Sequence, residues 1–231
     1  MKKILILLAL SLYLTIACSP IRIYRDMPEV KAWETEILKF EELDKSETYP
    51  DNSILFAGSS SIRLWSTIDN DLSPYPVIQR GYGGAKLSDF AVYTERIIWP
   101  HKNIDGIVLF IANDISGHET DKSPEEVLKL FKYVVKTIRK ELPETPVFWV
   151  GITPTELRWE AWPQIREANN LIRDYTIKNS DLYFIATERS FINEDGKPRP
   201  ELFLSDKLHL NDEGYRVWTE LIRYDLDRVL K

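Results

Sequence analysis

Ile54-Leu55-Phe56-Ala57-Gly58-Ser59-Ser60-Ser61-Ile62-Arg63-Leu64-Trp65 is the stretch on which the reading of the fold turns. An apolar run that stops at a glycine and gives way to hydroxyls reads as a buried strand with an abrupt end, because a strand covered on both faces has no polar alternation. Open α/β sheets place their sites at the carboxyl ends of such strands. The three serines therefore stand where a nucleophile would be offered. They suit a turn or a helix cap equally well, and chemistry alone does not choose among Ser59, Ser60 and Ser61.

Further strands are expected near residues 77–80, 106–112, 146–152 and 182–187, after a first at 53–58. Helices alternate with them. Val30, Trp33, Ile37 and Phe40 recur at helical spacing and give a leading helix. Ser123-Pro124-Glu125-Glu126 is a capping box with proline in the first turn. Another helix is expected from about Pro163 to Ile177, and a last one from Asp212 to Leu230. Strand–helix alternation of this kind makes an α/β fold, a parallel sheet with helices on both faces.

A serine hydroxyl needs a base, and the base an orienting carboxylate. Ser205-Asp206-Lys207-Leu208-His209-Leu210-Asn211 supplies both near the other end of the chain. Of the three histidines, His101 reads as a surface loop residue and His118 lies in a hydrophilic loop with Glu119 and Asp121. Only His209 stands three residues after an acid and next to a helix start. A metal at His118, Glu119 and Asp121 is not expected, because no second histidine-rich segment completes a ligand set. Two further segments hold the donor types that stabilise an oxyanion: the glycine turn Gly81-Tyr82-Gly83-Gly84, and Asn113-Asp114 after the apolar run 106–112. Each has a plainer reading, as a simple turn and as a helix cap or Asx-turn.

The four segments, in this order, resemble the SGNH hydrolases, the GDSL-type esterase/lipase superfamily, from about Asn52 to the C-terminus. The resemblance implies a flavodoxin-like three-layer α/β/α sandwich with a five-stranded parallel sheet. It also implies a nucleophile at Ser60, an oxyanion hole from Ser60, Gly84 and Asn113, and an Asp206–His209 dyad, with no cofactor and no metal. Ser59 stands where the family usually has aspartate, and Ile111 where it usually has the glycine of Gly-x-Asn-Asp.

At the N-terminus, Lys2-Lys3 precedes an apolar run from Ile4 to Leu14, too short to span a bilayer, as in a secretory signal. The Ala17-Cys18 junction resembles the site at which bacterial lipoproteins are cut and acylated. Residues 1–17 are thus expected to be a signal peptide, 18–29 a lipidated tether and 30–231 the esterase domain. The protein would sit in the bacterial cell envelope, held to the membrane through Cys18; a soluble secreted form is the alternative. One cysteine allows no internal disulfide.

The formal net charge is −6, and loss of the two leader lysines makes it −8. An acidic chain without a basic stripe argues against nucleic acid as a partner. Trp159 and Trp162, after the fourth strand, suit an acyl chain or a sugar face as substrate-binding residues. By family analogy the substrate is a small-molecule or saccharide ester with a short acyl group. A non-catalytic envelope lipoprotein using the same fold for binding or scaffolding is the alternative, supported only by Ser59 and Ile111.

Overall fold

A computed structural model describes residues 21–231; the expected signal peptide and Cys18 lie outside the described residues. The strands are β1 (Ser53–Gly58), β2 (Val77–Gly81), β3 (Ile104–Phe110), β4 (Val147–Val150) and β5 (Leu182–Ile185). They form one sheet in the order β2-β1-β3-β4-β5, every pair parallel. All six residues of β1 are buried, as an unalternating apolar strand between two neighbours requires.

The helices are α1 (Pro28–Lys31), α2 (Glu34–Ser46), α3 (Ser60–Arg63), α4 (Ile68–Asp71), α5 (Leu87–Ile98), α6 (Pro124–Ile138), α7 (Trp162–Thr176), α8 (Glu188–Phe191) and α9 (Asp212–Leu230). The sheet register decides which face each main helix covers. Leu109 pairs with Trp149, so both point to one side, and there Trp149 meets Phe131 of α6 with ring centroids 5.1 Å apart. Phe110 follows Leu109 and points the other way; it meets Trp218 of α9 at 4.6 Å. Helices α5, α6 and α7 pack in succession, while α3 lies by α9, where the Tyr215 hydroxyl donates to the Ser61 carbonyl at 2.9 Å. The result is the three-layer α/β/α sandwich expected.

Two local expectations need correction. The leading helix is two helices, α1 and α2, joined at Ala32-Trp33, and the Trp33 ring packs on Tyr82 at 5.1 Å. Residues 21–29, expected as tether, lie against the domain instead: Ile21 is 3% and Tyr24 9% exposed. Ile21 and Tyr24 find cover on the core, while Ile23 between them stays exposed. Among the described residues no helix is long and apolar enough to cross a membrane.

Candidate active site

The turn after β1 is fixed by contact with β3. Ser59 N–H donates to the Phe110 carbonyl at 2.8 Å, and Tyr82 N–H to the Gly58 carbonyl at 2.9 Å. Gly58 has φ +137°, and a Cβ there would stand 2.0 Å from the Phe110 oxygen. Only glycine can occupy that position. Ser59 holds the extended N-cap conformation at the start of α3 but makes no side-chain cap bond, so the helix-cap reading of the serines is met in position and not in bonding. Ser60 opens α3, and its Oγ lies 3.0 Å from His209 Nε2.

The other half of the dyad is held locally. Asp206 Oδ1 accepts from the backbone N–H groups of Leu208 at 3.0 Å and His209 at 2.9 Å, and Oδ2 meets His209 Nδ1 at 2.6 Å. Lys207, between them, takes φ +60°, which tightens the turn. Burial pushes the Asp206 carboxyl up, but its bonds to the His209 ring and to the two backbone N–H groups outweigh this and hold it below the ordinary carboxylate value. An ionised carboxylate only accepts, so the proton sits on Nδ1 and the Nε2 lone pair faces the Ser60 hydroxyl. The loop is closed by Leu204 N–H donating to the His209 carbonyl at 2.8 Å. Asn211 then caps α9 by accepting from Gly214 N–H at 3.0 Å.

Asn113 and Asp114 divide the two readings of their dipeptide. Asp114 is buried and accepts from Leu87 N–H, the first of α5, at 2.6 Å. Asn113 faces the cavity beside Ser60. Its Nδ2 donates to the Ala85 carbonyl at 2.8 Å, while its Oδ1 accepts from Arg158 Nη2 at 2.6 Å. Gly84, with φ +73°, adjoins Ala85 and borders a neighbouring depression walled by Trp33, Tyr24 and Lys86; it does not line the Ser60 cavity itself.

That cavity has a volume of about 30 Å³. The loop after β4 walls it through Thr153, Thr155 and Arg158. Trp159 and Trp162 do not line it, contrary to expectation. They stack on each other at 6.1 Å and 10° between planes, with the Lys197 ammonium over Trp159, so each covers the other's apolar face. His101 is also displaced from its expected place: it is buried, 3.5 Å from Asp44 and edge-on to Tyr49. His118 is exposed in a loop whose Asp121 is occupied by the N–H groups of Ser116, Gly117 and His118.

The family model for GDSL-like lipase/acylhydrolase proteins matches residues 55–217. The chain belongs to that family. No curated protein matches it. Solved structures do: a candidate platelet activating factor from Streptococcus pneumonia is 18% identical with a TM-score of 0.75, covering 85% of this chain and 93% of that one. A candidate acylhydrolase from Bacteroides fragilis is 19% identical with a TM-score of 0.72, covering 84% and 97%. A carbohydrate acetylesterase from Sinorhizobium meliloti is 15% identical with a TM-score of 0.60, covering 77% and 99%. Identities this low speak for the fold, and the family match makes the chain an ester-hydrolysing enzyme.

Two cavity residues of this GDSL-like hydrolase escaped the sequence reading. Arg158 lies in the loop read for its tryptophans, and only its contact with Asn113 gives it meaning. Thr155 is buried, and its hydroxyl has no partner among the described residues although it lines the Ser60 cavity. A threonine after a proline carries no signal of that in sequence.

Proposed function

We propose that Ser60, His209 and Asp206 are the catalytic triad of an esterase that works through an acyl-enzyme on short acyl esters, acetyl above all. The observation that carries this reading is the pair of contacts from His209, to Ser60 at 3.0 Å and to Asp206 at 2.6 Å. His209 Nε2 takes the Ser60 proton as Oγ attacks the ester carbonyl, and Asp206 steadies the imidazolium that forms. The oxyanion is met by the Ser60 N–H and the Asn113 amide, which line the cavity; Gly84, the third donor the family resemblance implies, borders the neighbouring depression. Collapse of the tetrahedral adduct breaks the bond to the alcohol, which leaves with the proton from His209. Water, deprotonated by His209, then attacks the acyl-serine, and the acid departs as Ser60 regains its proton.

The preference for a short acyl group follows from size. The cavity beside Ser60, about 30 Å³, is about two to three times the probe volume that one water needs, which supports a small acyl group. The carbohydrate acetylesterase among the structural relatives is consistent with an acetylated saccharide as substrate. Envelope localisation through acylated Cys18 belongs to the same proposal and rests on the Ala17-Cys18 junction; an N-terminus found unmodified by mass spectrometry would remove it.

The deciding test is Ser60→Ala, which should abolish p-nitrophenyl acetate turnover and fluorophosphonate labelling while the protein stays folded. Labelling that persists in Ser60→Ala and disappears in Ser59→Ala or Ser61→Ala would move the nucleophile. With Ser60 intact, kcat/KM should fall steeply from acetate to butyrate esters; a flat profile would overturn the acyl-size reading.

A further inference from the structure

Arg158 reaches across from the loop after β4 to the end of β3. Its guanidinium is a planar fork, and both arms are engaged on neighbouring residues. Nη1 donates to the Ala112 carbonyl at 2.5 Å and Nη2 to Asn113 Oδ1 at 2.6 Å. The Asn113 amide is therefore pinned at both ends, because its nitrogen donates to the Ala85 carbonyl at 2.8 Å. Rotating the amide would aim N–H groups at a cation and an oxygen at a carbonyl, losing both bonds. An amide nitrogen carries two hydrogens. With one on Ala85, the second is left for the cavity that Asn113 shares with Ser60.

We infer that Arg158 is a positioning residue that sets and polarises the Asn113 amide as an oxyanion donor; this rests on the catalytic reading above. A charged donor on the amide oxygen draws electron density from the nitrogen and strengthens the remaining N–H, an effect that grows where water is excluded. The second arm holds the Ala112 carbonyl, next to Ile111, where the family usually has glycine. The fork thereby fixes the backbone path just where the sequence departs from the family pattern. A lysine would keep the charge but could not span both oxygens with fixed geometry. Burial of the guanidinium disfavours its charge, with Asp121 and Asp114 as the acids that counter this.

A double-mutant cycle tests the inference, with kcat and KM for p-nitrophenyl acetate measured in the wild type, Arg158→Gln, Asn113→Ala and the double variant. Asn113→Ala should lower kcat by about 10²–10³-fold, as loss of one oxyanion donor does. Arg158→Gln should lower kcat by about tenfold or more with little change in KM, and should cost nothing further, within about twofold, once Asn113 is alanine. Equal loss in both backgrounds would show Arg158 acting without Asn113 and would overturn the inference, as would no loss in either. Arg158→Lys, which keeps the charge and the aliphatic stem, carries the same comparison if the glutamine variant fails to fold. Failure of the catalytic reading is separate, since it would appear as ester turnover that survives Ser60→Ala.

Discussion

The proposed nucleophile and its proposed base are held in opposite ways. Ser60 stands at the end of a strand buried along its whole length, between β2 and β3, with its turn bonded to Phe110 and packed under α9. Asp206 and His209 stand on a loop, where the Asp206 side chain is 46% and that of His209 25% exposed. What fixes them is a handful of bonds within eight residues, from Phe203 to Leu210, including the Phe203–Leu210 bridge. Stability and catalysis should thus be coupled on the serine side and separable on the histidine side.

The largest effect is expected at Gly58. A methyl there would lie 2.0 Å from a backbone oxygen at φ +137°, and neither β1 nor β3 can yield without breaking the sheet. Gly58→Ala should cost on the order of 4 kcal/mol or more of stability, read as loss of a cooperative melt or of soluble protein, with activity lost alongside. A variant that melts within a few degrees of wild type would break the coupling claimed for this side.

Asp206→Asn should do the reverse. With an amide in place of the carboxylate the imidazole is held in the wrong tautomer, and kcat should fall by about 10³–10⁴-fold. The melting temperature should hardly move, because Asp206 is exposed and an amide oxygen can still accept from the Leu208 and His209 N–H groups. Finding both stability and activity lost together would mean that the dyad loop is part of the folding core.

The same contrast explains what could be read without a structure. The five strands, the capping box at Ser123 and the span of α9 were legible because burial writes itself into apolar runs and caps into local residue order. The dyad was legible for a related reason: Asp206 and His209 meet through a turn of three residues. The family register points to Ser60 among the three serines, and the Ser60 Oγ lies 3.0 Å from His209 Nε2. What escaped is long-range. The Arg158–Asn113 bond joins residues 45 apart in sequence, and the Trp159–Trp162 stack turns away from the cavity for packing reasons that no pattern within one loop reveals. Burial of Ile21 and Tyr24 depends likewise on a surface formed by distant segments.

The smallest expected effect compares two carboxylates. Asp206, on the exposed loop, is pulled down by hydrogen bonds. Asp89, on the buried side, is pushed up from 3.8 to about 7 by burial, against the bonds it accepts from the Tyr82 hydroxyl at 2.6 Å and Lys86 N–H at 3.0 Å. It anchors the turn that leads from Gly81 to α5, so its ionisation state acts on the serine side of the site. Its folded-state value lies above the unfolded one, so the folded protein binds the extra proton between the two. The stability this contributes is fully present below about pH 4 and is lost as pH rises through about 7. In Asp89→Asn that titration is absent. The difference in unfolding free energy between wild type and Asp89→Asn, measured in urea at pH 5 and pH 8, should therefore shift in favour of asparagine at the higher pH, by roughly 2–3 kcal/mol. Subtracting one difference from the other removes the constant cost of replacing an acceptor oxygen by an amide nitrogen. A difference that stays the same at both pH values would mean that Asp89 remains ionised in the folded protein, and that the buried side of the site tolerates a charge as readily as the exposed one.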